Sequence, residues 1–400
     1  MVNPRKKRIM ILGAGLFQLA GIKRALALGY HVTTVGYPSD NIGHRYSHQS
    51  VDCSIVDREG VLSAARELGI DGICTFSSDA AVPSVGHVCA QLGLPGVSPE
   101  AAEIMTHKHL FRESQHRNQL ECPRFASGRA WESLEDEVRQ FSYPVLFKPV
   151  DSSGSRGVIR LDRFDTQAAR CCFGHAVSFS RSGRVCVEEW VAGVEVGGDA
   201  ILFDGGIVFA VVTHKHMEGF IVRGHSLPTN ITAEQRQWVV EALSAACKAL
   251  DYTCGPLNFD VMIAEDRAVV LEMSPRNGGN GIPTVIQRAT GCDIEEQTIR
   301  IAMGLPPTFP APGRTRGFGS YIFGASSSGT LMSMAGPDEV KRQVPEVFEV
   351  FQTKAPGDQV EAITHNANLL GFALFDCPKP SDYDLLTARI AGALDIKVEP

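Results

Sequence analysis

Two acids, Asp260 and Glu272, fall in a stretch whose pattern would bring them together. Residues 257–264 and 268–273 are β-rich runs, and Glu265-Asp266-Arg267 is the polar break between them. Centred on Asp266, such a hairpin pairs Ala264 with Ala268, Met262 with Val270, and Asp260 with Glu272. Alternation along each strand then puts all six side chains on one face. Opposed carboxylates in that arrangement lie about 5 Å apart. At an effective dielectric of about 20 they repel by about 3 kcal/mol. Either one of them is protonated or a cation sits between them, and a hard, oxygen-binding ion such as Mg²⁺ fits best. The competing arrangement is a different register with both acids in water, so the remaining residues must decide.

Other residues suggest what such a cation would serve. A strand over residues 143–149 ends on Lys148, which Pro149 turns out of the ladder, and the small-residue loop 151–157 follows. That loop can offer backbone N–H groups and hydroxyls to one anion, with Lys148 as a point charge beside them. The Gly-Lys-Ser/Thr ending of a Walker A loop is missing. Lys108 and Arg112, on or beside a helix opened by Ser98-Pro99-Glu100, read as a solvated basic face. A strand from Arg184 runs into Glu188, Glu189, Trp190 and Val191, with Glu195 beyond Gly193. The loop 275–283 is glycine-rich, and its N–H groups with Arg276 could grip a carboxylate or phosphoryl group. His214 and His216 flank Lys215 as His-x-His, but no further metal ligand stands nearby in sequence. Asp79, in Ser77-Ser78-Asp79, could touch a substrate, with a plain helix N-cap as the alternative reading.

Positioning these groups requires alternating elements. Strands at 8–12, 31–35 and 72–76 alternate with helices at 16–28, 61–68 and 82–92, which implies a doubly wound parallel sheet. A dinucleotide cofactor does not fit that sheet: Gln18 stands in place of the third glycine, and no acid ends the second strand. Residues 305–313 read as a stiff proline linker, followed by strands near 319–323, 347–352 and 371–375 and a helix at 383–394. At 400 residues the chain is too long for one core. Its net charge of −7 argues against nucleic acid. The eleven scattered cysteines suit reduced thiols in the cytoplasm. The basic, then apolar, N-terminus reads as a strand, turn and helix, not a secretory leader, and no apolar run is long enough to cross a membrane.

Taken together, Lys108, Lys148 with loop 152–157, Glu188 to Val191, Glu195, Asp260, Glu272 and Arg276 follow the order and approximate spacing of the ATP-grasp ligases. The chain resembles that family over nearly its whole length, and its C-terminal part resembles the amino-acid-ligase and biotin-carboxylase branches, with carbamoyl phosphate synthetase also related. The resemblance implies an α/β (α+β) fold: a Rossmann-like pre-ATP-grasp domain over 1–97, an ATP-grasp domain over 98–304 with a lid at 122–190, and a C-terminal lobe over 305–400. It implies that Lys108, Lys148, Ser152, Ser153 and Ser155 hold ATP phosphates. Glu188, Glu189 and Val191 would present the hinge to adenine, and Glu195 would hold the ribose. Asp260 and Glu272 would carry two Mg²⁺ ions, or Mn²⁺, with Ser274 where the family has a metal-binding asparagine. Lys215 and Arg276 would be catalytic, and Asp79, Arg276, Asn277, Gly278 and Gly279 would contact substrate. The implied reaction joins a small carboxylate to an amine through an acyl-phosphate, in a cytoplasmic homodimer. A bicarbonate-activating carboxylase and a non-catalytic ATP sensor are the alternatives. The carboxylase's glutamate–histidine signature is missing where Asn277-Gly278-Gly279-Asn280 stands.

Overall fold

The computed structural model describes residues 5–37, 41–311 and 316–400. Near the N-terminus, apolar runs buried on both faces become parallel strands. Arg8–Leu12, His31–Val35, Gln49–Val51 and Gly72–Thr75 form a four-stranded sheet in which every pairing is parallel. Helices Arg58–Leu68 and Val82–Leu92 cover one face through Val61, Leu62, Val85 and Val88. Helices Leu19–Ala27 and Ile294–Ala302 cover the other through Ile22, Ala25 and Ile299. The helix expected from residue 16 opens with a tighter turn, Leu16–Gln18. Gln18 is the reason: its amide oxygen accepts from the Gly15 N–H at 3.0 Å, and its amide nitrogen donates to the Phe76 carbonyl at 2.6 Å. The side chain thereby fills the turn that a third glycine would leave open for a pyrophosphate.

A second unit is a small antiparallel sheet, ordered Phe125–Gly128, Val185–Glu189, Val145–Pro149, Ile159–Leu161. Helix Thr166–Ser178 packs on it, with Ala169, Phe173 and Ala176 set against Trp131, Phe147 and Val187.

The largest element is an antiparallel sheet of eight strands. Its order is Ala268–Ser274, Gly255–Ile263, Val194–Phe203, Gly206–Glu218, Ile221–Leu227, Phe318–Gly324, Leu369–Asp376 and Val347–Gln352. Residues 215–223 lie in two of these strands, and only Gly219 and Phe220 turn between them. Helices Pro99–Thr106 and Ala233–Ala249 bury Ala102, Met105, Val239 and Leu243 against one face. Helix Ile282–Thr290 covers the opposite face with Val285 and Ile286. The sheet continues past the proline stretch at 305–311, of whose expected extent Pro312 and Gly313 lie outside the described residues. The join across it is narrow, with Ser226 paired to Gly319 and Leu227 to Phe318. The helix expected at the C-terminal end is Tyr383–Leu394. All eleven cysteines are free, and among the described residues no helix is long and apolar enough to cross a membrane.

Candidate active site

Asp260 and Glu272 are paired across the hairpin as expected, but by a different route. The turn is centred between Glu265 and Asp266, with the Ala264 N–H donating to the Arg267 carbonyl at 2.8 Å, so Ile263 faces Ala268 and Val261 faces Val270. Leu271 is then one residue too many, a β-bulge that restores the pairing of Asp260 with Glu272. The bulge also decides which face Glu272 takes. Ala268 and Val270, expected beside the acids, point into the core with Val261 and Ile263. Glu272 shares their parity and would follow them inward, but the extra residue turns it out to join Asp260.

Arg112 holds the bulge in place. It is 1% exposed, not the solvated cation expected. Its guanidinium donates to the carbonyls of Leu271 at 2.7 Å and Val270 at 3.4 Å. On its other side it pairs with Glu188 at 3.1 Å, which Lys148 also reaches, at 2.6 Å. Burial would push the Glu188 carboxyl up, but these two cations overcome it and hold the group at about 2. Glu188, expected at an adenine hinge, therefore has its carboxylate committed inside the protein. Glu189 is half committed, accepting from the Ser142 N–H at 2.7 Å.

Between the small sheet and the large one runs a slot open to solvent. Leu146, Trp190, Val191, Phe220, Met262 and Leu271 make its apolar part. Its inner end is lined by Lys108, Lys148, Ser152, Ser155, Glu195, Lys215, Asp260 and Glu272. Lys215 pairs with Glu195 at 2.5 Å and with Asp260 at 2.8 Å. Burial alone would lower its pKa, yet the two acids keep it raised and the lysine charged. Burial, with Glu195 and Glu272 close by, pushes Asp260 up in spite of Lys215. Lys108 lies 3.5 Å from Glu272 and donates to the Ser152 carbonyl at 2.9 Å. Over this end folds the loop carrying Ser152, Ser153 and Ser155, in which Gly154 (φ 65°) and Ser155 (φ 61°) are left-handed.

A second chamber opens past the acids, sharing Gly154, Ser155, Lys215, Asp260 and Glu272 with the slot. One wall is polar, made by Asp79, Ser153, Asn258, Ser274, Arg276 and Asn280, and His225 also faces in. The opposite wall is Phe17, Val222, Ile282, Ala367 and Leu369. Arg276 is fixed by Asp79 at 2.7 Å and by the Asn258 amide oxygen at 2.6 Å. Burial would raise the Asp79 carboxyl, but Arg276, the Ser274 hydroxyl and Lys108 bring it down. Asp79 is not an N-cap, since that position falls to Ser78. Gly279 lines the chamber, whereas Asn277 and Gly278, expected among the substrate contacts, stand behind its wall. Asn277 is fully buried, its amide oxygen held by Thr298 at 2.8 Å, and so is not free to replace Ser274 as a ligand. The Gly278 N–H is bound by both carboxylate oxygens of Asp199 at 2.9 Å. His216 stacks on Tyr383 at 3.3 Å and hydrogen-bonds Ser226, so the His-x-His pair supports the sheet.

Sequence reasoning missed Arg112, Asp199, Asn258 and His225. Only Asn258 left a usable signal, since it stands two residues before Asp260 on a strand and must share its face. Asp199 follows Gly197-Gly198, which hid its strand.

The slot, the covering loop and the paired acids define a nucleotide-dependent ligase architecture, and comparison with known proteins makes the class specific. Residues 141–284 match the ATP-grasp domain, and residues 322–399 match the L-amino acid ligase C-terminal domain 2. The fold is similar to the L-amino acid ligase of Bacillus licheniformis, with a TM-score of 0.84 over 100% of both chains at 21% identity. An uncharacterized protein of Sinorhizobium fredii, y4rH, is 26% identical over 84% of this chain and 70% of its own length. Carnosine synthase 1 of Mus musculus is 26% identical over 64% of this chain. The match spans only 34% of that synthase. The chain thus carries an ATP-grasp domain followed by an L-amino acid ligase C-terminal domain.

Proposed function

We propose that the protein is an ATP-dependent carboxylate–amine ligase that joins a small acid, such as an amino acid, to an amine, with release of ADP and phosphate. The observation that carries this reading is the junction of the two chambers. Lys215, Asp260 and Glu272 line both, so a nucleotide in the slot would present its terminal phosphate to an acid in the chamber. The acid's carboxylate, steered by Arg276, attacks the γ-phosphorus, and the acyl-phosphate then gives its acyl group to the amine. Lys108, Lys148 and the loop Ser152, Ser153 and Ser155 are the phosphate contacts. Val191 and the backbone at Glu188 and Glu189 face adenine, and Glu195 faces the ribose. Catalysis of this kind rests on positioning and charge neutralisation, not on a covalent enzyme intermediate.

The donor set suits a hard divalent ion: two facing carboxylates with the Ser274 hydroxyl on the same side of the strand. Asp260, Glu272 and Ser274 would hold Mg²⁺ or Mn²⁺, in two ions, which supplies neutralisation of the phosphate charge. Residues 1–97, 98–304 and 305–400 are the working units of this reading, and a homodimer in the cytoplasm is its setting.

Incubation with ATP, Mg²⁺, a panel of acids and hydroxylamine should yield a hydroxamate, with ADP, from at least one acid. Glu272→Gln should lower that yield by about 10²-fold or more, the scale of losing a charge-stabilising group. Phosphate release that depends on bicarbonate, with no hydroxamate from any acid, would overturn the proposal.

A further inference from the structure

The three acids of the second chamber each lie against a cation, Asp79 with Arg276, Asp260 with Lys215 and Glu272 with Lys108. An amine that attacks an acyl-phosphate there must shed a proton, and it needs an acceptor that is not occupied. His225 is placed to be one. It lies on strand Ile221–Leu227, directly opposite Lys215, and is 3% exposed. Its backbone N–H is tied to the Ser320 hydroxyl at 3.0 Å. Its Nδ1 lies 2.9 Å from the Thr213 hydroxyl.

That contact fixes the tautomer. Thr213 donates its one hydroxyl proton to the Gly197 carbonyl at 3.0 Å, so toward His225 it can only accept. Nδ1 must therefore carry the ring proton, and a neutral ring then has a bare Nε2. Burial, with Lys215, His216 and His214 nearby, lowers the ring's pKa and keeps it neutral. Nε2 has no hydrogen-bond partner among the described residues, and the ring forms part of the chamber wall.

Building on the ligase reading, we propose that His225 is a catalytic residue of the second half-reaction: its Nε2 takes the proton of the attacking amine. The nitrogen lone pair forms the C–N bond, and the C–O bond to phosphate breaks, phosphate leaving with that electron pair. One N–H proton passes to Nε2 as the nitrogen becomes positive and strongly acidic, and solvent later removes it. The acceptor is weakly basic, which suits a proton that is acidic only during the attack. Thr213 is a positioning residue, acting by holding the tautomer.

The test separates the two half-reactions. The N–H of an attacking hydroxylamine is far more acidic than that of an attacking α-amino acid, and the molecule is small enough for water to take its proton, whereas an α-amino acid offered as the amine depends on a base in the chamber. Wild type, His225→Gln and Thr213→Val are given ATP, Mg²⁺ and the panel of acids, with either hydroxylamine or the common α-amino acids as nucleophile. Melting temperatures establish that each variant folds. His225→Gln should lower amide formation about 10²-fold or more while hydroxamate stays within about threefold of wild type. Thr213→Val, which frees the other tautomer without touching the chamber, should show the same selective loss to a smaller degree. An equal fall in amide and hydroxamate, or no fall in amide, overturns the role of His225. Absence of both products from the wild-type protein overturns the ligase reading and this one together.

Discussion

Asp199 is completely buried, and no lysine, arginine or histidine among the described residues comes within ion-pair distance of it. Burial pushes its carboxyl up to about 6, despite the Gly278 N–H, the Asn258 amide and nearby Arg276, which all pull it down. A charge held at that cost has a positional role. Asp199 fixes Gly278 and orients Asn258, whose oxygen in turn holds Arg276. Because the folded pKa lies above the ordinary 3.8, the folded state favours the protonated acid. Its contribution to stability is full below about 4, falls as pH rises through about 6, and leaves an ionised group that opposes folding at neutral pH. A difference of that size between folded and unfolded chains corresponds to roughly 3 kcal/mol. Acidification from pH 7 to pH 5 should therefore stabilise wild type relative to Asp199→Asn, since asparagine has nothing to titrate. Denaturant midpoints of both proteins at the two pH values measure this, and an unchanged difference would show that Asp199 does not titrate in the window. The same ionisation serves the site, so turnover should fall as Asp199 takes up its proton while stability rises.

At the level of elements, one bulge decides whether the two acids meet. The hairpin could be read from its alternation and polar turn, and even the pair Asp260–Glu272 came out correctly. It did so because two departures of one residue cancel: a turn centred half a residue early, and the extra Leu271. A bulge leaves little trace in sequence, because it is fixed by what binds its carbonyls, and here that is Arg112 from a distant helix. For the same reason the first parallel strands and the C-terminal strands were legible from apolar runs, while 194–203 and 206–218 were not. Gly197, Gly198, Gly205 and Gly206 interrupt those strands, and polar His214 to His216 mimic a loop. Arg112→Met should leave Glu188 with Lys148 alone and strip the Leu271 carbonyl of its side-chain donor, while the Val270 carbonyl keeps the Gln115 amide at 3.0 Å. Removing one partner of such a buried pair costs about 3–5 kcal/mol. Denaturation should register that loss, and ATP should bind more weakly as Glu272 leaves the slot face. Adding Glu188→Met should restore neither stability nor turnover, because it takes from Lys148 its 2.6 Å partner and leaves the bulge still unsupported. Full stability and full ATP affinity in Arg112→Met would show that the bulge holds itself.

Across the whole molecule, the C-terminal part completes the second chamber as well as the sheet. The strand pairing between the two parts is Ser226–Gly319 and Leu227–Phe318, at one end of strand Ile221–Leu227. At the other end Asn366 acts as a clamp: its amide oxygen accepts from the Val222 N–H at 3.1 Å, and its amide nitrogen donates to the Val222 carbonyl at 2.8 Å. From the same residue the backbone N–H donates to the Gly154 carbonyl in the loop over the slot at 3.2 Å. One residue thus joins the strand that carries His225, the loop over the slot and the apolar wall of the chamber. Asn366→Ala should leave two buried backbone groups of Val222 unpaired, a loss of about 1–3 kcal/mol for each group. Functionally, KM for the acid should rise about tenfold, the equivalent of about 1.4 kcal/mol of binding energy, because Asn366, Ala367 and Leu369 shape the acid's wall. KM for ATP should rise far less, since none of the three lines the apolar part of the slot. Steady-state kinetics with each substrate varied in turn distinguish the outcomes. Equal increases in both KM values would mean that the clamp governs loop closure over the nucleotide, with the acid chamber following only as a consequence.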